Sequence, residues 1–65
     1  MSSTRTNTKR NLQGIVNRLN DIKATVELIL NDGYTEVESV NNALYVFVSG
    51  LDQLIELAES IRKSL

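Results

Sequence analysis

The stretch NNALYVFVSG, residues 41–50, decides how this 65-residue chain is read. Its run of apolar residues, Ala43 to Val48, is rich in β-branched side chains and would suit a strand. As a strand it would place Leu44, Val46 and Val48 on one face. The flanks give a different answer. Val37, Val40, Leu44, Phe47, Leu51, Leu54, Ala58, Ile61 and Leu65 recur at alternating steps of three and four on both sides of the stretch. That is the a/d stripe of a helix lying along another helix. The stretch reads as helix.

A second stripe precedes it: Leu12, Ile15, Leu19, Ile22, Val26 and Ile29, at the same spacing. Between the two lies NDGYTEVES, residues 31–39, the one convincing break in a chain without proline. Gly33 suits the left-handed position that ends a helix. Thr35 followed by Glu38 has capping-box spacing and predicts a new helix starting at Thr35, with Tyr34 covering the loop. The predicted fold is therefore all-α: an antiparallel two-helix hairpin with helices over about 8–31 and 35–64. Residues 1–7 are expected to form a polar, basic tail, and residues 8–65 the helical-hairpin oligomerisation domain. Across a short loop, the stripes match with Leu12 opposite Leu54, Ile15 opposite Leu51, Leu19 opposite Phe47, Ile22 opposite Leu44, Val26 opposite Val40 and Ile29 opposite Val37. In that register Leu44, Phe47 and Val48 belong to the hairpin's own core.

A chain this short has little core, and it contains neither Cys nor His. Disulfides are excluded and the commonest metal ligand is missing, so association with other subunits is the remaining source of stability. Extending the register places Ala58 opposite Thr8 and Ile61 opposite Arg5, which leaves Ile61 and Leu65 without apolar partners on helix one. On a helical wheel, Val46, Gly50 and Leu57 widen the apolar arc of helix two to about 200°, roughly twice what one packing partner covers. Leu28 lies on the back of helix one. Val46, Gly50, Leu57, Ile61, Leu65 and Leu28 are thus the expected oligomer interface, in a homodimeric four-helix bundle or a larger homo-oligomer.

Charge is asymmetric as well. Residues 1–23 carry Arg5, Lys9, Arg10, Arg18 and Lys23 against Asp21 alone, whereas residues 24–59 hold only acids. Helix two follows the macrodipole rule, with acids at its start and Arg62 and Lys63 at its end; the cations at the start of helix one oppose it. Folding collects Arg5, Lys9, Arg10, Arg62 and Lys63 at the open end of the hairpin and Glu27, Asp32, Glu36 and Glu38 around the loop. The basic end reads either as an anion-binding site for the phosphates of nucleic acid or nucleotide, or as a solvated end paired with Glu56 and Glu59. Tyr45 reads either as a ring that stacks on a base or sugar or as a half-buried interface residue.

No catalytic set emerges, and a small hairpin offers little cavity in which to shift a pKa. No enzymatic activity, metal or cofactor is expected. The polar start MSSTRTNTKR has no apolar signal core, and the apolar runs fall far short of the ~20 residues of a membrane span, so a cytoplasmic location is the default expectation.

In length, hairpin design and cationic first helix, the chain resembles the Rop family of plasmid RNA-binding hairpin proteins. That resemblance implies a dimeric four-helix bundle that binds RNA through helix one, and it carries no residue motif. The short hairpin phosphatases of sporulation response regulators use S-x-x-x-D at the start of helix two. Here Asn41 and Tyr45 stand in that frame, so the activity is not expected. The expected function is a non-enzymatic oligomeric binding module presenting basic ends to an anionic partner. That partner would be nucleic acid or a nucleotide-type ligand, the latter held by a sequestering protein of phage or mobile-element origin. The alternative is a protein-binding regulator or assembly factor acting through the exposed apolar shoulder of helix two.

Overall fold

Nothing in residues 4–13 interrupts a helix, since the first glycine is Gly14 and proline is absent. In the computed structural model, which describes residues 4–32 and 36–65, α1 accordingly runs over Thr4–Asp32 and takes in the last residues of the expected tail. The second helix, α2, runs over Glu38–Ser64 and includes the whole of NNALYVFVSG. The chain is an all-α hairpin of these two helices.

The expected roles of Gly33, Tyr34 and Thr35 lie outside the described residues. Glu36 and Val37 are not helical, so α2 begins three residues later than the capping-box reading places it. Val37 is the N-cap, extended at φ −94° and ψ 113°, and makes no side-chain cap hydrogen bond. Its carbonyl accepts the amides of Val40 (3.0 Å) and Asn41 (3.1 Å). Glu38 supplies the negative charge that the first turn favours.

This later start changes the register. The midpoint of the connection moves from about residue 33 to about residue 35, and each step of that midpoint shifts facing pairs by two residues. That accounts for about four residues, and the packing places helix two about eight residues, close to two helical turns, beyond the expected register. The packing shows the slide directly. Val16 is buried in a cluster with Ile55 and Ala58, and Leu12 and Leu19 pack against that cluster. In the expected register Val16 would have faced Gly50, and Ala58 would have faced Thr8.

The slide preserves the apolar stripe but rotates it. Among the described residues the buried side chains are Val16, Val26, Leu51, Ile55 and Ala58, and Leu12, Leu19, Leu44 and Val48 are half-buried. Six residues expected in the hairpin seam are exposed instead: Ile15, Ile22, Val37, Val40, Phe47 and Leu54. Phe47 and Leu54 leave half their surface open, at 50% and 51%. The physical reason is the alternation of the stripe. With 3-4 spacing, a slide of about two turns lets Val16, Val48 and Ile55 take the inner shoulder and turns Ile15, Phe47 and Leu54 to the outside.

The result is one layer of two helices, with extents of 55 × 15 × 11 Å. Its radius of gyration is 15.4 Å, against about 11 Å for a compact domain of this length. Its accessible surface is 4934 Å², against about 4,200 Å² expected for a folded monomer of 7.3 kDa. The hairpin has a seam but no second layer.

Candidate functional site

The early start of α1 puts Arg5, Lys9 and Arg10 on its first two turns, and no acid accompanies them in the first turn. All three are exposed, and none takes part in an ion pair among the described residues. They sit where the helix dipole is already positive, so helix stability does not account for them. The antiparallel topology brings Arg62 and Lys63 to the same end of the hairpin. There they favour the last turn of α2, which closes with the Leu65 amide donating to the Arg62 carbonyl at 3.2 Å. The Ser64 hydroxyl donates to the Ser60 carbonyl at 3.0 Å.

Arg62 differs from the other cations. Its side chain is half-buried, and its Nε is enclosed with no hydrogen-bond acceptor. A buried donor left unmade costs about 1–3 kcal/mol, and more when the group is charged. Lys63 lines a shallow depression with Glu56, Glu59, Ser60 and Ser64.

Tyr45 is not brought to the basic end. It lines a separate depression with Glu27, Leu30, Asn31 and Val48, and lies about 25 Å from Arg62 along α2. The same long side of the hairpin carries the ion pair between Lys23 and Asp52. That hydrogen bond, more than the nearby charges of Asp52 and Glu27, holds the Lys23 ammonium pKa above its ordinary 10.5. The pair was not legible from spacing alone, because the expected register puts Ala43 opposite Lys23. Other polar groups on α1 are satisfied locally. Gln13 Nε2 donates to Asn17 Oδ1 (3.0 Å), Asn20 Nδ2 to the Val16 carbonyl (3.1 Å), and Thr25 Oγ1 to the Asp21 carbonyl (3.1 Å).

The opposite long side is apolar. Ile15 and Ile22 of α1 fall on the same flank of the seam as Val40, Phe47, Leu54 and Ile61 of α2. Phe47, Gly50, Leu51, Gln53, Leu54 and Leu57 line an open groove there. Of the expected interface residues, Gly50, Leu57 and Ile61 belong to this side, and Val46 continues it onto the back of α2. Among the described residues, Val46 is the most exposed of the large apolar side chains at 71%. Leu28 is exposed on the back of α1, and Leu65 is half-buried at the open end. The face is wider than the expected shoulder because Ile15, Ile22, Phe47 and Leu54 have joined it.

Among the described residues, no group of three or more acids, Cys or His converges to hold a metal, and no helix is long and apolar enough to cross a membrane. Comparison with protein-family models, with curated proteins and with solved structures gives no match.

Proposed function

We propose that this chain is a non-enzymatic, self-associating binding module whose basic ends meet an anionic partner, a nucleic acid or a nucleotide-type ligand. The observation that supports the anionic partner most is Arg62. Its Nε is enclosed without an acceptor, at the end where Arg5, Lys9 and Arg10 are exposed and unpaired among the described residues. A phosphate oxygen at this end would satisfy the donor and offset the crowding of cations on the first turns of α1. Self-association is supported by the apolar side, where Val46, Gly50, Leu57 and Ile61 flank the exposed Phe47 and Leu54; Leu28 and Leu65 extend it. The test is a titration of single-stranded RNA, duplex DNA and mono- and dinucleotides against the full chain at several salt concentrations. Binding that weakens steeply with salt, and weakens further in Arg10→Ala and Arg62→Gln, supports the reading. Binding that is flat in salt and indifferent to both substitutions refutes it.

A second reading has the apolar side hold a larger protein, making the chain a regulator or assembly factor. Its support is Val46 and Leu57, whose exposure carries the apolar surface beyond the flank that α1 shares. A stoichiometric partner lost on Val46→Glu, with self-association intact, would favour it.

A further inference from the structure

The geometry points to a particular occupant of the apolar side: a second copy of this chain, packed head-to-tail so that the basic end of each copy lies beside the acidic loop end of the other. This deepens the self-association just proposed and rests on it.

Area, spacing and charge each support it. The hairpin exposes roughly 700 Å² more than a folded monomer of its mass, close to the ~800 Å² each partner buries in a standard interface. The open stripe of α2 runs Val40, Phe47, Leu54, Ile61, in strict steps of seven, which keeps one line of side chains facing a helix packed alongside. A larger folded partner would not require that period; another copy of α2 matches it.

Charge then chooses the orientation. One end of the hairpin carries Arg5, Lys9, Arg10, Arg62 and Lys63 against Glu56 and Glu59. The other carries Glu27, Asp32, Glu36 and Glu38, all exposed. Placing open ends together would set cations against cations and acids against acids. Placing them head-to-tail relates the copies by a two-fold axis across the middle of the face and pairs unlike ends. In that arrangement Phe47 of one copy faces Leu54 of the other, Val40 faces Ile61, and Gly50 lies at the crossing of the two α2 helices.

Gly50 fits that position. It sits in the interior of α2, where glycine is disfavoured, and a Cβ added to it would meet nothing within 4 Å. The hairpin itself gives no reason for a glycine there. A second helix approaching closely at that level would.

The experiment uses the full chain with one introduced cysteine, Ser64→Cys, spin-labelled and measured as a purified assembly; Asn7→Cys is the second site should the first perturb folding. Head-to-tail packing predicts a dimer in sedimentation and a label separation of roughly 40 Å, the length of a helix. A separation under roughly 25 Å, the width of two helices, would mean that like ends meet and would overturn the orientation. A monomer would overturn the whole inference. Gly50→Cys adds an independent readout: a short bis-maleimide should link two copies across the axis, and failure to link in a confirmed dimer counts against it. Neither readout needs an anionic ligand, so a failed nucleic-acid titration and a failed dimer orientation are separate results.

Discussion

The ammonium of Lys23 is paired with the carboxylate of Asp52 across the hairpin, about nine residues, or two and a half turns, beyond the Ala43 that matching the two apolar stripes places opposite it. A displacement in the same direction buries Val16 with Ile55 and Ala58. The polar pair and the apolar cluster thus report one packing of α1 on α2.

Lys23 links that packing to pH. Its pKa is raised above the ordinary 10.5 by the hydrogen bond to Asp52, so the folded state holds the proton more tightly than the unfolded chain. The contribution is fully present below about pH 10 and is lost as pH rises through the folded pKa. The melting temperature of the wild type should therefore fall more steeply above pH 10.5 than that of Lys23→Met, as read by circular dichroism. Parallel curves would show that the pair contributes nothing.

The register makes a sharper claim about the core. Ile55→Ala removes a buried side chain and should cost about 2–4 kcal/mol at every protein concentration. Leu54→Ala, one residue away, removes a half-exposed one. Its cost should appear at concentrations where the chain associates and shrink on dilution. Equal losses in dilute solution would restore the register with Leu54 in the seam.

Much of this architecture is legible in the sequence, and the missing part has a physical cause. The 3-4 spacing of Leu12 to Ile29 and of Val37 to Leu65 makes both segments helical, and NDGYTEVES separates them. The register is not legible because Thr35 with Glu38 is a credible cap, yet α2 starts at Glu38 itself. An error of two residues in the midpoint of the connection already moves the facing pairs by a full turn, and the packing carries them about one turn further. After that slide Val16, Val26, Leu51, Ile55 and Ala58 fill the seam, and Ile15, Phe47 and Leu54, which their spacing marks as core residues, are on the open side. The basic end is legible because topology alone gathers Arg5, Lys9, Arg10, Arg62 and Lys63. Tyr45 lies on the polar side as its wheel position suggests, but the wheel carries no information about its distance along the axis from Arg62.

That distance gives a prediction for ligand binding. An anion seated at the open end contacts α1 near Arg10 and not the surface near Tyr45. Arg10→Ala should lower affinity for a short RNA by several-fold and reduce the salt slope by about 0.7–0.9, the share of one phosphate contact. Tyr45→Ala should leave both unchanged. A large loss with Tyr45→Ala would place the ligand on the side lined by Glu27 and Asn31.

Gly50 separates the stability of the hairpin from that of its assembly. Because a Cβ there meets open space, Gly50→Ala should stabilise α2 by about 1 kcal/mol in the dilute monomer. The same change adds bulk where two copies of α2 cross, so the dissociation constant of the assembly should rise. Opposite signs in dilute melting and in association would locate the contact; improvement in both would place Gly50 outside it.

The most direct test of the account is the mass of the chain in solution, measured by sedimentation equilibrium across micromolar concentrations for the wild type and for Phe47→Glu. A particle of at least twice 7.3 kDa that falls to the chain mass in Phe47→Glu is the predicted result. A wild-type chain that sediments at 7.3 kDa throughout and still unfolds cooperatively would contradict it.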